Sequence, residues 1–209
     1  KNICEWMPVL QPYAGKTYGN YFIPEINDIV LVGFIGPGLK RPFVLGSFFP
    51  AEAQMAKDSF HAKNQTRKIK TKGGIELTLS DESGKESITA TTPKGLTLTA
   101  GDEKQTITIS DQNNKNCISI DCQSGTIQVT AGTKIVLKAG SCEISLDGNS
   151  GALNIKGNQL TINASQKADI KGGQMFNVSG GVVKVQGQQT LELKGSTMTS
   201  VSGGIVKIN

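Results

Sequence analysis

The sequence predicts an all-β protein made of a small N-terminal barrel followed by a trimeric, triple-stranded prism of short strands. Three observations predict it. Aromatic residues and prolines are concentrated before about residue 47. After about residue 75, pairs of alternating apolar residues return every eight to eleven positions. Each such pair carries too little apolar surface to hold its own stretch of backbone in place.

In the first part, apolar runs at 6–10, 29–35 and 43–49 are separated by Gly and Pro turns and read as strands of a small barrel. Residues 51–64, AEAQMAKDSFHAKN, have helix-forming side chains but weak apolar periodicity, which predicts a linker with one or two helical turns. The basic run 67–72, RKIKTK, alternates Lys with Ile and Thr, as a solvated edge strand does. In IELTLSDESGKESITA at 75–90, a Ser-Gly turn between two alternating runs predicts a hairpin. The expected domains are a barrel over 1–50, a linker or neck over 51–70, and the triple-stranded prism over 71–209.

The beat then continues as ITAT from Ile88, LTLTA from Leu96, ITIS from Ile107, ISID from Ile118, IQVTA from Ile127, IVLKA from Ile135 and EISLD from Glu143. It runs on through LNIKG from Leu153, LTINA from Leu160, ADIKG from Ala168, FNVSG from Phe176, VKVQG from Val183, LELKG from Leu191 and IVKIN from Ile205. Period-two alternation marks strands with one buried face, and the Gly, Asn, Asp and Ser clusters between them mark turns. Two inward side chains gain about 3 to 6 kcal/mol per beat. Ordering eight or nine residues costs about 12 kcal/mol, so neighbouring strands and a shared core supply the rest.

A single-chain solenoid needs coils of about 20 residues or more and a repeat at that longer period. Only the short one is visible. Three chains wound around one axis need about eight residues per face, and each covers the strand edges of the others. Thr97, Thr99, Thr106, Thr108, Lys138, Lys156, Lys171, Lys184 and Lys194 then fall on the wet exterior. About 14 beats stacked roughly 4.8 Å apart give a shaft of roughly 65 to 70 Å.

Composition narrows the function. The chain has 209 residues, a net charge of +5 and no apolar stretch approaching a membrane span. It opens without an initiator Met and without a signal-peptide layout, and reads as a piece of something longer made in the cytoplasm. Cys4, Cys117, Cys122 and Cys142 fit no zinc spacing and read as reduced thiols. His61 is the only histidine, so a His-based catalytic or metal cluster within one chain is excluded. Beyond Gly151, six lysines face only Asp169 and Glu192, giving a basic distal segment.

The stretch 9–47, VLQPYAGKTYGNYFIPEINDIVLVGFIGPGLKRPFVLGS, resembles the oligonucleotide/oligosaccharide-binding (OB)-type barrel of the VgrG and phage baseplate-spike family of contractile injection systems. QPYAGKTYG, FIPEINDIVLVGF and RPFVLGS stand in the family's order and spacing. TKGGIELTLSDESGKESITATTPKG at 71–95 is similar to the family's passage from barrel to β-helix.

The resemblance implies a homotrimer with a triple-stranded β-helix needle at the tip of a sheathed tube, driven through a target envelope. It implies tube and baseplate partners at the N-terminal end and delivery outside the producing cell. No cofactor, no enzymatic activity and no specific nucleic acid are expected. Some family spikes end in a His-x-His apex that binds iron, and no His follows His61. The ending VSGGIVKIN is instead similar to blunt ends that carry a separate PAAR-type tip protein. Gly203, Gly204, Ile205, Val206, Lys207, Ile208 and Asn209 are the expected docking platform. The alternatives are an OB-type nucleic-acid binder, using Tyr13, Tyr18, Tyr21 and Phe22 near Lys16, or a β-helical fibre or adhesin.

Overall fold

A computed structural model describes residues 6–38 and 40–208 and is all-β apart from one short helix. It divides into two units, Lys1–Asn158 and Gln159–Asn209. In the first, β1 (Val30–Phe34) and β2 (Pro42–Ser47) pair antiparallel, with a bulge at Leu31/Val32. The run at 6–10 contributes only one parallel bridge, Val9 to Val44, flanked by hydrogen bonds from Leu10 N to Val44 O and from Val44 N to Pro8 O. Val44, 7% exposed, is the one fully buried apolar side chain among the described residues. These elements make part of a barrel wall. A closed barrel needs five strands, more than the described segments supply.

Helix α1 (Gln54–Ser59) falls in the helix-favouring segment. Ten strands follow: β3 (Thr66–Lys70), β4 (Glu76–Ser80), β5 (Ser87–Thr91), β6 (Thr97–Gly101), β7 (Thr106–Ser110), β8 (Cys117–Asp121), β9 (Thr126–Thr130), β10 (Lys134–Ala139), β11 (Cys142–Asp147) and β12 (Ala152–Lys156). β3 to β9 form one seven-stranded antiparallel sheet in chain order, and β10 to β12 a separate three-stranded one. The basic run is the edge strand β3, as its Lys alternation predicts, and the hairpin around Gly84 joins β4 to β5.

The beats therefore do not each cross to a new face, as the three-chain reading expects. Within β3 to β9 and within β10 to β12 consecutive beats pair with each other, because their connections reverse the chain; β9 and β10 do not pair. Gly74, Gly95, Gln105 and Asn114 close turns onto the carbonyls of Thr71, Thr92, Asp102 and Asp111. Their φ values are +89, +78, +49 and +54, in the left-handed region such turns require. Asp121 and Asp147 accept the N–H groups of the second and third residues after them, and Gly125 and Gly151 complete those turns at φ +68.

The second unit is built differently. Bends fall at 158, 165–166, 173–174, 181–182, 188–189, 196–197 and 204–205, and among the described residues the stretches between them form neither helix nor paired strand. Gly157, Ala164, Gly172, Gly180, Gly187, Gly195 and Gly203 precede the successive bends, seven or eight residues apart. A Cβ at Gly172, Gly187 or Gly195 would collide with the carbonyl oxygen of Met175, Thr190 or Met198. These corners need glycine for close backbone approach rather than for a positive φ. Among the described residues none beyond Gly151 has one.

Candidate assembly surface

The registers sort the seven-stranded sheet into two chemically distinct faces. On one, two apolar rows run across the strands. The first is Leu79, Ile88, Ala100, Ile107, Ile120 and Ile127, and the second is Ile69, Leu77, Ala90, Leu98, Ile109, Ile118 and Val129. The opposite face carries Thr78, Thr89, Thr99, Thr108, Ser119 and Gln128 in one row. The alternation read from the sequence thus sorts apolar from polar side chains onto two faces, but among the described residues the apolar face is the more exposed one: Ile107 and Ile118 are 46% and 44% exposed, while Thr97, Thr99, Thr106 and Thr108, expected on the wet exterior, are half-buried. A groove of about 450 Å³ opens among Leu96, Leu98, Ile109 and Ile118.

The three-stranded sheet repeats the design, with Ile135, Leu146 and Leu153 in one row and Leu137, Ile144 and Ile155 in the next. Lys138 and Lys156 flank Glu143 on its other face. In the second unit Leu160, Ile170, Leu193 and Ile208 are also exposed, and among the described residues no backbone–backbone hydrogen bond within the chain involves 159–208. Apolar rows left in water and backbone groups without partners are both unfavourable.

Charge is arranged at the edge strand. Lys68 and Lys70 reach Glu76 at 2.8 and 3.2 Å. The hydrogen bond from Lys68, then that from Lys70, hold the Glu76 carboxyl well below its ordinary value, at about 2. In the turns, backbone N–H groups of Ser124 and Gln123 lower Asp121, and those of Ser150 and Asn149 lower Asp147. At Asp111 partial desolvation works the other way, but hydrogen bonds from Asn116 and Lys115 outweigh it and the carboxyl is lowered.

The expected docking residues 203–208 are exposed around the last bend, with Ile205 and Ile208 83% and 90% exposed; Asn209 lies outside the described residues. Tyr13 and Tyr18 are brought together, ring centroids 5.2 Å apart, while Tyr21 and Phe22 stand exposed. Cys117 is half-buried, Cys122 and Cys142 are exposed, and Cys4 lies outside the described residues. No His, Cys, Asp and Glu group among the described residues is arranged to hold a metal, and no helix among them is long and apolar enough to cross a membrane. The glycine corners were missed in the sequence, although Gly or Ala closes nearly every beat from Leu153 to Gly195.

Known proteins place these features in a class. Residues 1–49 match the type VI secretion system/phage-baseplate injector OB domain. Over 90 residues, 40% of this chain, it is 30% identical to the type VI secretion system spike protein VgrG1c of Pseudomonas aeruginosa PAO1 and 33% identical to VgrG5 of the same strain. It is 24% identical to VgrG1a of that strain over 200 residues, 80% of the chain. The matches cover 12%, 11% and 31% of those relatives, so the chain spans at most about a third of their length. The resemblance to the VgrG and phage baseplate-spike family carried by the residues of 9–47 holds.

Proposed function

We propose that this chain is a structural spike segment of a contractile injection system, working as a homotrimer that punctures a target envelope and carrying no enzymatic activity. The observation that carries this is the pair of unmet demands in one polypeptide: exposed apolar rows along two sheets, and the backbone of 159–208, which among the described residues makes no backbone–backbone hydrogen bond within the chain. Three copies meet both. The apolar rows face inward, and from residue 159 onward each arm takes its hydrogen bonds from the other two copies, giving a triple-stranded β-helix with a glycine or, at Ala164, an alanine before each corner.

Such interwound arms come apart only when ladders to both neighbours break together, so resistance to unfolding under load is kinetic. Residues 203–209 then form a small trimeric platform for a PAAR-type tip protein, and the N-terminal part faces tube and baseplate proteins. The chain is made in the cytoplasm, assembled into the particle and delivered outward. The test is native mass: three copies of 22.1 kDa give about 66 kDa. A folded species of single-copy mass at micromolar concentration overturns the proposal. For the tip, a PAAR-domain protein that binds a known VgrG but not the assembled chain removes that part alone.

A further inference from the structure

The connections of the seven-stranded sheet fall alternately on its two flanks, and the flanks differ in charge. On one lie 71–75, 92–96 and 111–116. Gly74 abuts Pro93 there, and Gly95 abuts Gln112. On the other lie 81–86, 102–105 and 122–125, tied by hydrogen bonds from Asp102 N to Glu86 O and from Cys122 N to Gln105 O. The first flank carries Lys72, Lys94 and Lys115 against Asp111, whose carboxylate is engaged by Asn116, and Lys72 is paired with Glu25 at 2.9 Å, which leaves Lys94 and Lys115 outside any ion pair among the described residues. The second carries Asp81, Glu82, Glu86, Asp102 and Glu103 against Lys85 and Lys104. One flank is basic and the other acidic.

The acidic flank also holds a notch of about 350 Å³, lined by Asp81, Glu86 and Asp102 together with Leu79, Ile88 and Ala100 from the apolar face. Among the described residues, Lys94 and these three carboxylates take no part in an ion pair. Lys94 sits in the β5–β6 connection. The notch lies between the β4–β5 and β6–β7 connections, so its middle is at the level of the β5–β6 pair. Copies related by closed rotational symmetry have no displacement along the axis, so the two features meet at one height.

We infer that the basic flank of one copy docks on the acidic flank of the next, with Lys94 entering the notch formed by Asp81, Glu86 and Asp102. The inference rests on the homotrimeric reading and adds the direction of the contact. A head-to-tail ring needs two different, complementary surfaces on each copy, and the flanks are such a pair. The opposed charges also disfavour like-with-like contacts and fix which flank meets which.

The test uses the full chain with Lys94→Glu, Asp102→Lys, and both together, following the rate of trimer dissociation in denaturant at low and high salt. Each single reversal is expected to speed dissociation about fivefold per contact at low salt, compounded over three contacts, and much less at high salt. The double substitution restores the pair across every contact and is expected to return the rate towards that of the unaltered chain. A misfolded single variant would not be rescued in this way. If the unaltered chain is trimeric but the single reversals change nothing, or the double gives no recovery, this inference falls and the assembly stands. If the unaltered chain is a monomer, both fall.

Discussion

The segments 66–156 and 159–208 carry the same alternating beat and do opposite things with it. In the first, every strand pairs with a neighbour in chain order, with a single break between β9 and β10; in the second, no stretch among the described residues does. Side-chain alternation is common to both, so it does not decide pairing. The connections decide it. Up to Gly151 every connection that reverses the chain contains a residue at positive φ, and 131–133, which has none, separates the two sheets; at Gly172, Gly187 and Gly195 the later corners let backbone approach backbone.

The comparison breaks most readily through amide exchange. In the assembled chain, amides of both segments are expected to be protected. On dilution to single copies, those of 159–208 should lose protection entirely while the inner strands β4 to β8 retain part of theirs. Protection of 159–208 that persists in a single copy would show pairing inside the chain and erase the distinction.

Next in size is the apolar face. Ile107→Asp or Ile118→Asp removes about 1.5 to 3 kcal/mol of burial per copy and places a carboxylate in the shared core, so trimer is expected to be absent by native mass. Thr108→Asp, one residue from Ile107 but on the opposite face, should leave the mass unchanged. Equal effects at 107 and 108 would mean that the apolar rows are not the assembly surface.

The corners give a smaller contrast within the second segment. Gly195→Ala meets the Met198 carbonyl, whereas Gly173→Ala meets nothing. A cost of about 1 to 3 kcal/mol per copy is expected at Gly195 and a few tenths at Gly173, read as the denaturant midpoint of the trimer. Indistinguishable midpoints would remove the close-approach account of these glycines.

The strands up to 156 were legible because pairs such as Ile107 and Ile109 announce a two-residue period, whereas Leu191 and Leu193 announce the same period and form no strand within the chain. The division into an apolar and a polar face was legible for the same reason, and the basic run at 67–72 announced an edge. Pairing was not, because it depends on one residue per connection. Asn114 or Gln105 in the left-handed region looks like any polar loop residue in the sequence, yet it turns two beats into a hairpin. The barrel was legible as a motif and not as a closed wall, since Val9 makes one bridge where a strand was expected. The docking role expected of 203–208 rests on family resemblance alone, since exposure around a bend is a property they share with the whole second segment.

The smallest expected effect lies at the start of the self-paired segment, where Glu76 faces Lys70 directly and Lys68 diagonally. Its carboxyl is lowered from 4.5 to about 2. A depressed acid contributes stability that is fully present above its unfolded value and is lost as pH falls through the folded one, so the contribution disappears between about pH 4.5 and 2. Glu76→Gln removes the charge at every pH. The variant should melt slightly lower than the unaltered chain at pH 6, and the two should converge near pH 2, with the difference reduced by salt because the pair is partly exposed. A gap that is the same at pH 6 and pH 2 would assign the effect of Gln to packing, and the lysines of β3 would then serve only to keep the edge from pairing.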